Sequence, residues 1–77
     1  MNDTVPALSA SVRQALVLVA RGLTQDEVAA AMGMSRSAVK TRIEHAIDVL
    51  VARGRTHAIC LALRYGIITL DEVFPDE

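Results

Sequence analysis

The sequence is poor in the residues that staple, stack or interrupt a chain. Only Tyr65 and Phe74 are aromatic among 77 residues, so any core has to be assembled from Ala, Val, Leu, Ile and Met. Cys60 is the one cysteine; this excludes a disulfide framework and a cysteine-based zinc site and fits a reducing, cytoplasmic compartment. Two separated histidines, His45 and His57, do not make a metal site, and no cofactor is expected. The two prolines, Pro6 and Pro75, lie near the ends. The longest apolar runs, Ala15 to Ala20 and Ala58 to Leu63, are six residues each, far short of the ~20 needed to span a bilayer. The N-terminus has no basic stretch followed by an apolar one, so no signal peptide is expected.

What is present points one way. Hydrophobic residues make up 52% of the chain, twelve of them alanine, and the interior is free of proline, which together specify an all-α protein. The length allows one domain. A domain of this size buries only about 60% of the surface its unfolded chain exposes, so a second copy or a partner would add to its stability.

The net charge of −1 argues at first against a polyanionic partner, but the charge is unevenly spread. Asp71, Glu72, Asp76 and Glu77 cluster at the C-terminal end and Asp3 lies at the other. Residues 4–70 hold all eight basic residues and four acids, a balance of +4. Residues 34–57 carry Arg36, Lys40, Arg42, Arg53 and Arg55 against Glu44 and Asp48, a local +3.

Along the chain, residues 1–7 read as a flexible lead. Ser9 or Ser11 can cap a first helix running to about Arg21, with Val12, Leu16, Val19 and Leu23 at core spacing and Gly22 as its stop. Thr24 to Glu27 forms a capping box for a second helix over Gln25 to about Met32, with Val28, Ala29 and Met32 inward. Gly33-Met34-Ser35 reads as a three-residue turn, and a third helix runs from Arg36 to about Val51 with Val39, Ile43, Ala46 or Ile47, and Leu50 buried. A fourth helix, from Arg55 or Thr56 to about Tyr65, is apolar nearly all round. A short helix of that kind needs cover on both faces, so one face is expected on the core and the other on a partner. Residues 69–77 read as an acidic tail in which Leu70 to Phe74 can add one last helical turn.

The second and third helices have the three requirements of a helix-turn-helix: a small residue where they cross (Ala29), glycine in the turn (Gly33) and an apolar anchor on the second helix (Val39). In the DNA-binding form of this motif the second helix enters the major groove. Its outer face here offers Arg36, Ser37, Lys40, Thr41 and Glu44. Lys40 can donate to guanine and Glu44 can accept from cytosine. The hydroxyls of Ser35, Ser37 and Thr41, with Arg42 and Arg55, suit phosphate contacts, and His45 lies at the edge of the same face. No Ser–His–Asp or paired-carboxylate constellation with a pocket can be built, so no enzyme is expected.

From Leu8 to Ile68 the sequence resembles the LuxR-type (GerE-like) DNA-binding domain of bacterial transcription regulators. The resemblance rests on Leu8-Ser9, Gly22-Leu23-Thr24, Glu27-Val28-Ala29, Met32-Gly33-Met34-Ser35, Val39-Lys40, Arg55-Thr56 with Ala58, Ala62-Leu63-Arg64 and Gly66. It implies a four-helix domain over residues 8–68, helix three in the major groove, and helix four as a dimer contact. Base contacts would then come from Lys40, Thr41 and Glu44, with Ser37, Arg42 and Arg55 near the backbone. The dimer face would be His57, Cys60, Leu61 and Arg64, joined by Val49 and the tail. The sequence departs from that family where Val12 replaces a first-helix Glu and where Asp48 and Val49 stand in place of basic residues; the second change weakens phosphate affinity and adds apolar surface. Val39-Lys40-Thr41-Arg42-Ile43 with Ala46 also resembles region four of extracytoplasmic-function sigma factors, a likeness that does not account for Arg55-Thr56 with Ala58 or for the apolar fourth helix. The expected partners are double-stranded DNA, a second copy of the chain, and RNA polymerase or another regulator. The rival reading is a protein-interaction module that uses helix four, Val49, Val51, Val73 and Phe74.

Overall fold

A computed structural model describes residues 6–75, within which five helices pack around one core: α1 (Ala10–Ala20), α2 (Gln25–Met32), α3 (Arg36–Leu50), α4 (Arg55–Arg64) and α5 (Leu70–Val73). There is no strand among the described residues. The flexible lead anticipated at residues 1–7 falls mostly outside them.

Local chemistry sets the helix starts. The side chains of Ser9, Thr24, Ser35 and Thr69 each accept from the backbone N–H three residues on, and each such cap stabilises its helix by about 1 kcal/mol. Thr24–Glu27 and Thr69–Glu72 are full capping boxes, with the glutamate reaching back to the cap N–H. The start of α4 is different. Its cap is Gly54, which offers no side chain; instead His57 Nδ1 accepts from the Arg53 N–H at 3.0 Å.

The helix ends share one device. After α1, α2, α3 and α4 the same pair of hydrogen bonds closes the last turn: Leu23 to Leu18 with Gly22 to Val19, Met34 to Ala29 with Gly33 to Ala30, Ala52 to Ile47 with Val51 to Asp48, and Ile67 to Ala62 with Gly66 to Leu63. This motif puts one residue in the left-handed region, normally glycine. Three of the four are glycine; the fourth is Val51, at φ 55°.

The core is aliphatic. Ala15, Leu16, Val28, Ala46, Ala58 and Ala62 are completely buried, and Val12, Val17, Ala29, Val39, Ile43, Leu50, Ile68 and Val73 nearly so. Alanines at the helix crossings let the backbones approach, while Leu16, Val28, Val39 and Ile68 fill the volume between them. Burying each of these larger side chains is worth about 1.5–3 kcal/mol. On α3, Ala46 rather than Ile47 completes the buried stripe. On α1 the stripe is Val12, Ala15, Leu16 and Val17, whereas Val19 and Leu23 are only half-buried.

Two expectations change. The fourth helix does not leave one whole apolar side bare: Ile59, Leu61 and Leu63 pack partly against the domain's own core beside buried Ala58 and Ala62. Its exposed residues are Arg55, Thr56, His57, Cys60 and Arg64. The segment from residue 69 is not a separate tail as far as Pro75. Val73 is buried and α5 lies against α1. There Arg13 donates through Nε to the Ile67 carbonyl at 2.8 Å and pairs with Glu72, while Arg21 Nε donates to the Glu72 carbonyl at 2.9 Å.

Candidate nucleic-acid interface

The α2–α3 corner positions the outer face of α3. Gly33 at φ 66° reverses the chain, Ser35 caps the new helix, and Gln25 Nε2 ties the two helix starts together by donating to the Arg36 carbonyl at 3.0 Å. From this corner α3 presents Ser37, Lys40, Thr41, Glu44, His45 and Asp48, all exposed. These are polar groups on a fixed helix, which is the form of a surface that reads base edges.

Some of the expected phosphate ligands are already engaged. Ser35 Oγ accepts from the Ala38 N–H at 3.1 Å and lies 3.2 Å from Ser37 Oγ. Thr41 Oγ1 donates to the Ser37 carbonyl at 3.0 Å. Arg36 pairs with Asp26 at 2.7 Å, across two well-exposed side chains. Arg42 stands apart from the rest. Its Nε donates to Ser11 Oγ at 2.6 Å and its Nη1 to the Ala38 carbonyl at 3.2 Å, so it braces α3 against α1.

The remaining cations of the central segment, Lys40, Arg53 and Arg55, have no ion pair among the described residues. Arg53 was not singled out from the sequence as a contact residue; its only signal there was its share of the local charge. A groove that sequence pattern could not reveal runs along one flank of α3. It has a volume of about 180 Å³, an aliphatic floor of Val19, Val39, Ile43 and Ile47, and a rim of Gln25, Lys40, Glu44 and Arg55. The groove brings Lys40 and Glu44 from α3 together with Arg55 from α4.

The residues expected at a dimer contact are more scattered in their exposure. His57, Cys60 and Arg64 are exposed on α4, whereas Leu61 and Val49 are half-buried. Leu61 packs against the core.

Residues 2–50 match the family described as Sigma-70, region 4. The chain belongs to the sigma-70 region 4 family. The match ends on the last residue of α3, so it takes in the helix-turn-helix and leaves α4 and α5 beyond it. Family membership identifies the α2–α3 pair as a DNA-binding helix-turn-helix. It agrees with the likeness carried by Val39-Lys40-Thr41-Arg42-Ile43 with Ala46, and the LuxR-type assignment is not what it shows. The chain is also 36% identical over 56 residues to the Transcriptional regulatory protein YdfI of Bacillus subtilis (strain 168). That similarity covers 73% of this chain and 26% of the relative, so the chain spans about a quarter of that protein's length.

Proposed function

We propose that the domain is a transcriptional regulator that binds duplex DNA in a sequence-specific way with α3 in the major groove. The observation that carries this is a sigma-70 region 4 helix-turn-helix whose recognition helix leaves Lys40, Thr41 and Glu44 outward and exposed. Lys40 and Glu44 serve as donor and acceptor toward base edges. Ser37 and Arg55 flank them toward the phosphates, and Arg53 joins them. Arg36, held by Asp26, and Arg42, held by Ser11, position α3 more than they bind the duplex, and His45 is a peripheral contact.

The finer reading is a homodimer, of the LuxR-type arrangement, with each copy taking one half of an inverted repeat. The α4 face of His57, Cys60 and Arg64, edged by Leu61 and Val49, is the proposed contact. A second reading is favoured by the family match: docking on promoter DNA as part of a complex with RNA polymerase, in the manner of a sigma region four.

Selection of duplexes from a random pool, with the bound species sized by light scattering, tests both. Enrichment of an inverted repeat bound by two chains supports the dimeric regulator. Enrichment of a single half-site supports the second reading. No enrichment at low salt, where electrostatic attraction is strongest, overturns DNA binding for this chain. Lys40→Ala is expected to cost about 1–3 kcal/mol of affinity for the selected site. With Lys40, Arg53 and Arg55 as the cations meeting the duplex, log affinity is expected to fall against log salt with a slope of about −3 per copy.

A further inference from the structure

Two features of the surface complement each other. The first is the groove beside α3, apolar at its floor and bordered by Lys40 and Arg55. The second is the exposed edge of α5. Leu70 is 61% and Phe74, the residue that closes α5, 57% exposed, and Phe74 N–H donates to the Leu70 carbonyl at 2.8 Å. The fold holds this edge firmly. The Thr69–Glu72 capping box, the Arg13–Glu72 pair, the Arg21 bond to the Glu72 carbonyl and buried Val73 all fix α5, yet its two largest side chains point to water. Phe74 is one of only two aromatic residues in the chain, and among the described residues more than half of it is left uncovered.

Size and charge both match. An apolar cavity of about 150 Å³ holds a benzene molecule, and the groove of about 180 Å³ therefore admits the ring of Phe74. The groove's rim has a positive balance, Lys40 and Arg55 against Glu44. The sequence around Phe74 is acidic, with Asp71 one turn back and Asp76 and Glu77 following; Glu72 is neutralised by Arg13.

We propose that the α3 groove is a docking site for the Phe74 end of a second copy of this chain, with the ring on Val19, Ile43 and Ile47 and Asp71 facing Lys40 and Arg55. The contact is heterologous: knob and groove are different surfaces, so each copy keeps one of each free and association continues head to tail. It differs from a two-fold dimer through α4. Where the proposed DNA reading holds, it also makes self-association and DNA binding mutually exclusive, because Lys40, Glu44 and Arg55 serve both.

The association itself does not depend on DNA and is tested without it. Sedimentation velocity of the full chain over a concentration series at low salt is expected to show a mean mass that climbs with concentration and falls back on adding salt. Phe74→Ala, which removes the knob, and Arg55→Glu, which reverses the rim, are each expected to weaken this climb at least about tenfold in dissociation constant. Both side chains are exposed, so both variants should keep the wild-type circular dichroism; Lys40→Glu replaces Arg55→Glu if the latter unfolds. The deciding measurement mixes the variants. A Phe74→Ala chain retains its groove and an Arg55→Glu chain retains its knob, so the mixture should form one-to-one pairs that neither forms alone. A wild-type mass that does not climb, or climbs equally in Phe74→Ala, overturns the proposal. A climb that Phe74→Ala abolishes but mixing does not restore assigns the contact to Phe74 against Phe74 and also overturns it. A fixed dimer that grows no further with concentration and survives in both variants belongs to α4 and likewise overturns the proposal.

Discussion

The α2–α3 corner and the α3–α4 joint close two successive helices with the same hydrogen-bond pair, but they fill it with opposite chemistry. At the corner, glycine occupies the left-handed position and a serine caps the next helix. At the joint, a β-branched residue occupies that position with its side chain 85% exposed, and the cap is a glycine with no side chain to offer. Val51 gains almost nothing from burial and carries a backbone conformation that costs an L-residue about 1–2 kcal/mol. The corner sets the angle of the recognition helix at low energetic cost, and the strain of the fold is concentrated where α3 ends.

The comparison can be broken most sharply by giving the corner the residue of the joint. Gly33→Val meets no atom within 4 Å of the added Cβ, so its effect isolates the backbone. We expect a loss of about 1–3 kcal/mol in urea denaturation, with the α2–α3 amides losing hydrogen-exchange protection first. The converse change, Val51→Gly, should stabilise the fold by about 0.5–1 kcal/mol, since strain relief exceeds the extra freedom of glycine in the unfolded chain. An unchanged or lower midpoint would mean that the Val51 side chain stabilises the joint by a contact. Gly54→Asp, at an extended φ of 170°, supplies the missing cap and should add a few tenths of a kcal/mol.

The smallest effect lies outside both connections and is visible only against pH. The Arg13 guanidinium holds the Glu72 carboxyl below the ordinary carboxylate range, aided by hydrogen bonds from Thr69. Because the folded-state value is the lower one, this pair contributes stability above the unfolded carboxylate's titration. The contribution fades as pH falls through the folded one. Glu72→Gln should flatten the acid limb of a thermal-melt series relative to wild type while shifting the neutral-pH midpoint only slightly.

The fold was legible because its signals are local. Ser9, Thr24, Ser35 and Thr69 announce helix starts within four residues of sequence, and Gly22, Gly33 and Gly66 announce the ends. Val51 carries no such announcement; a valine at a helix stop reads as helix, so the sequence pattern extends α3 onto it. The roles of Arg36 and Arg42 were equally hidden. Which cation faces solvent and which turns to Asp26 or Ser11 depends on the packing of α3 against its neighbours, and a charge count treats them alike. The apolar fourth helix was read as half bare because the sequence cannot show that Ile59, Leu61 and Leu63 find cover within the same domain. The groove, built from α1, α2, α3 and α4 together, had no linear signature at all.

The clasp of α5 on α1 has a consequence for how the protein is made. The Arg13–Glu72 contact spans 59 residues of sequence and the Arg21–Glu72 contact 51, while the corner is closed by partners within a few residues of one another. A chain leaving the ribosome can form the corner as soon as residues 24–39 are free. It cannot seat Val73 in the core or engage Arg13 until residues 69–73 have emerged as well. The helix-turn-helix can therefore take shape in the nascent chain before α5 emerges to complete the packing on α1.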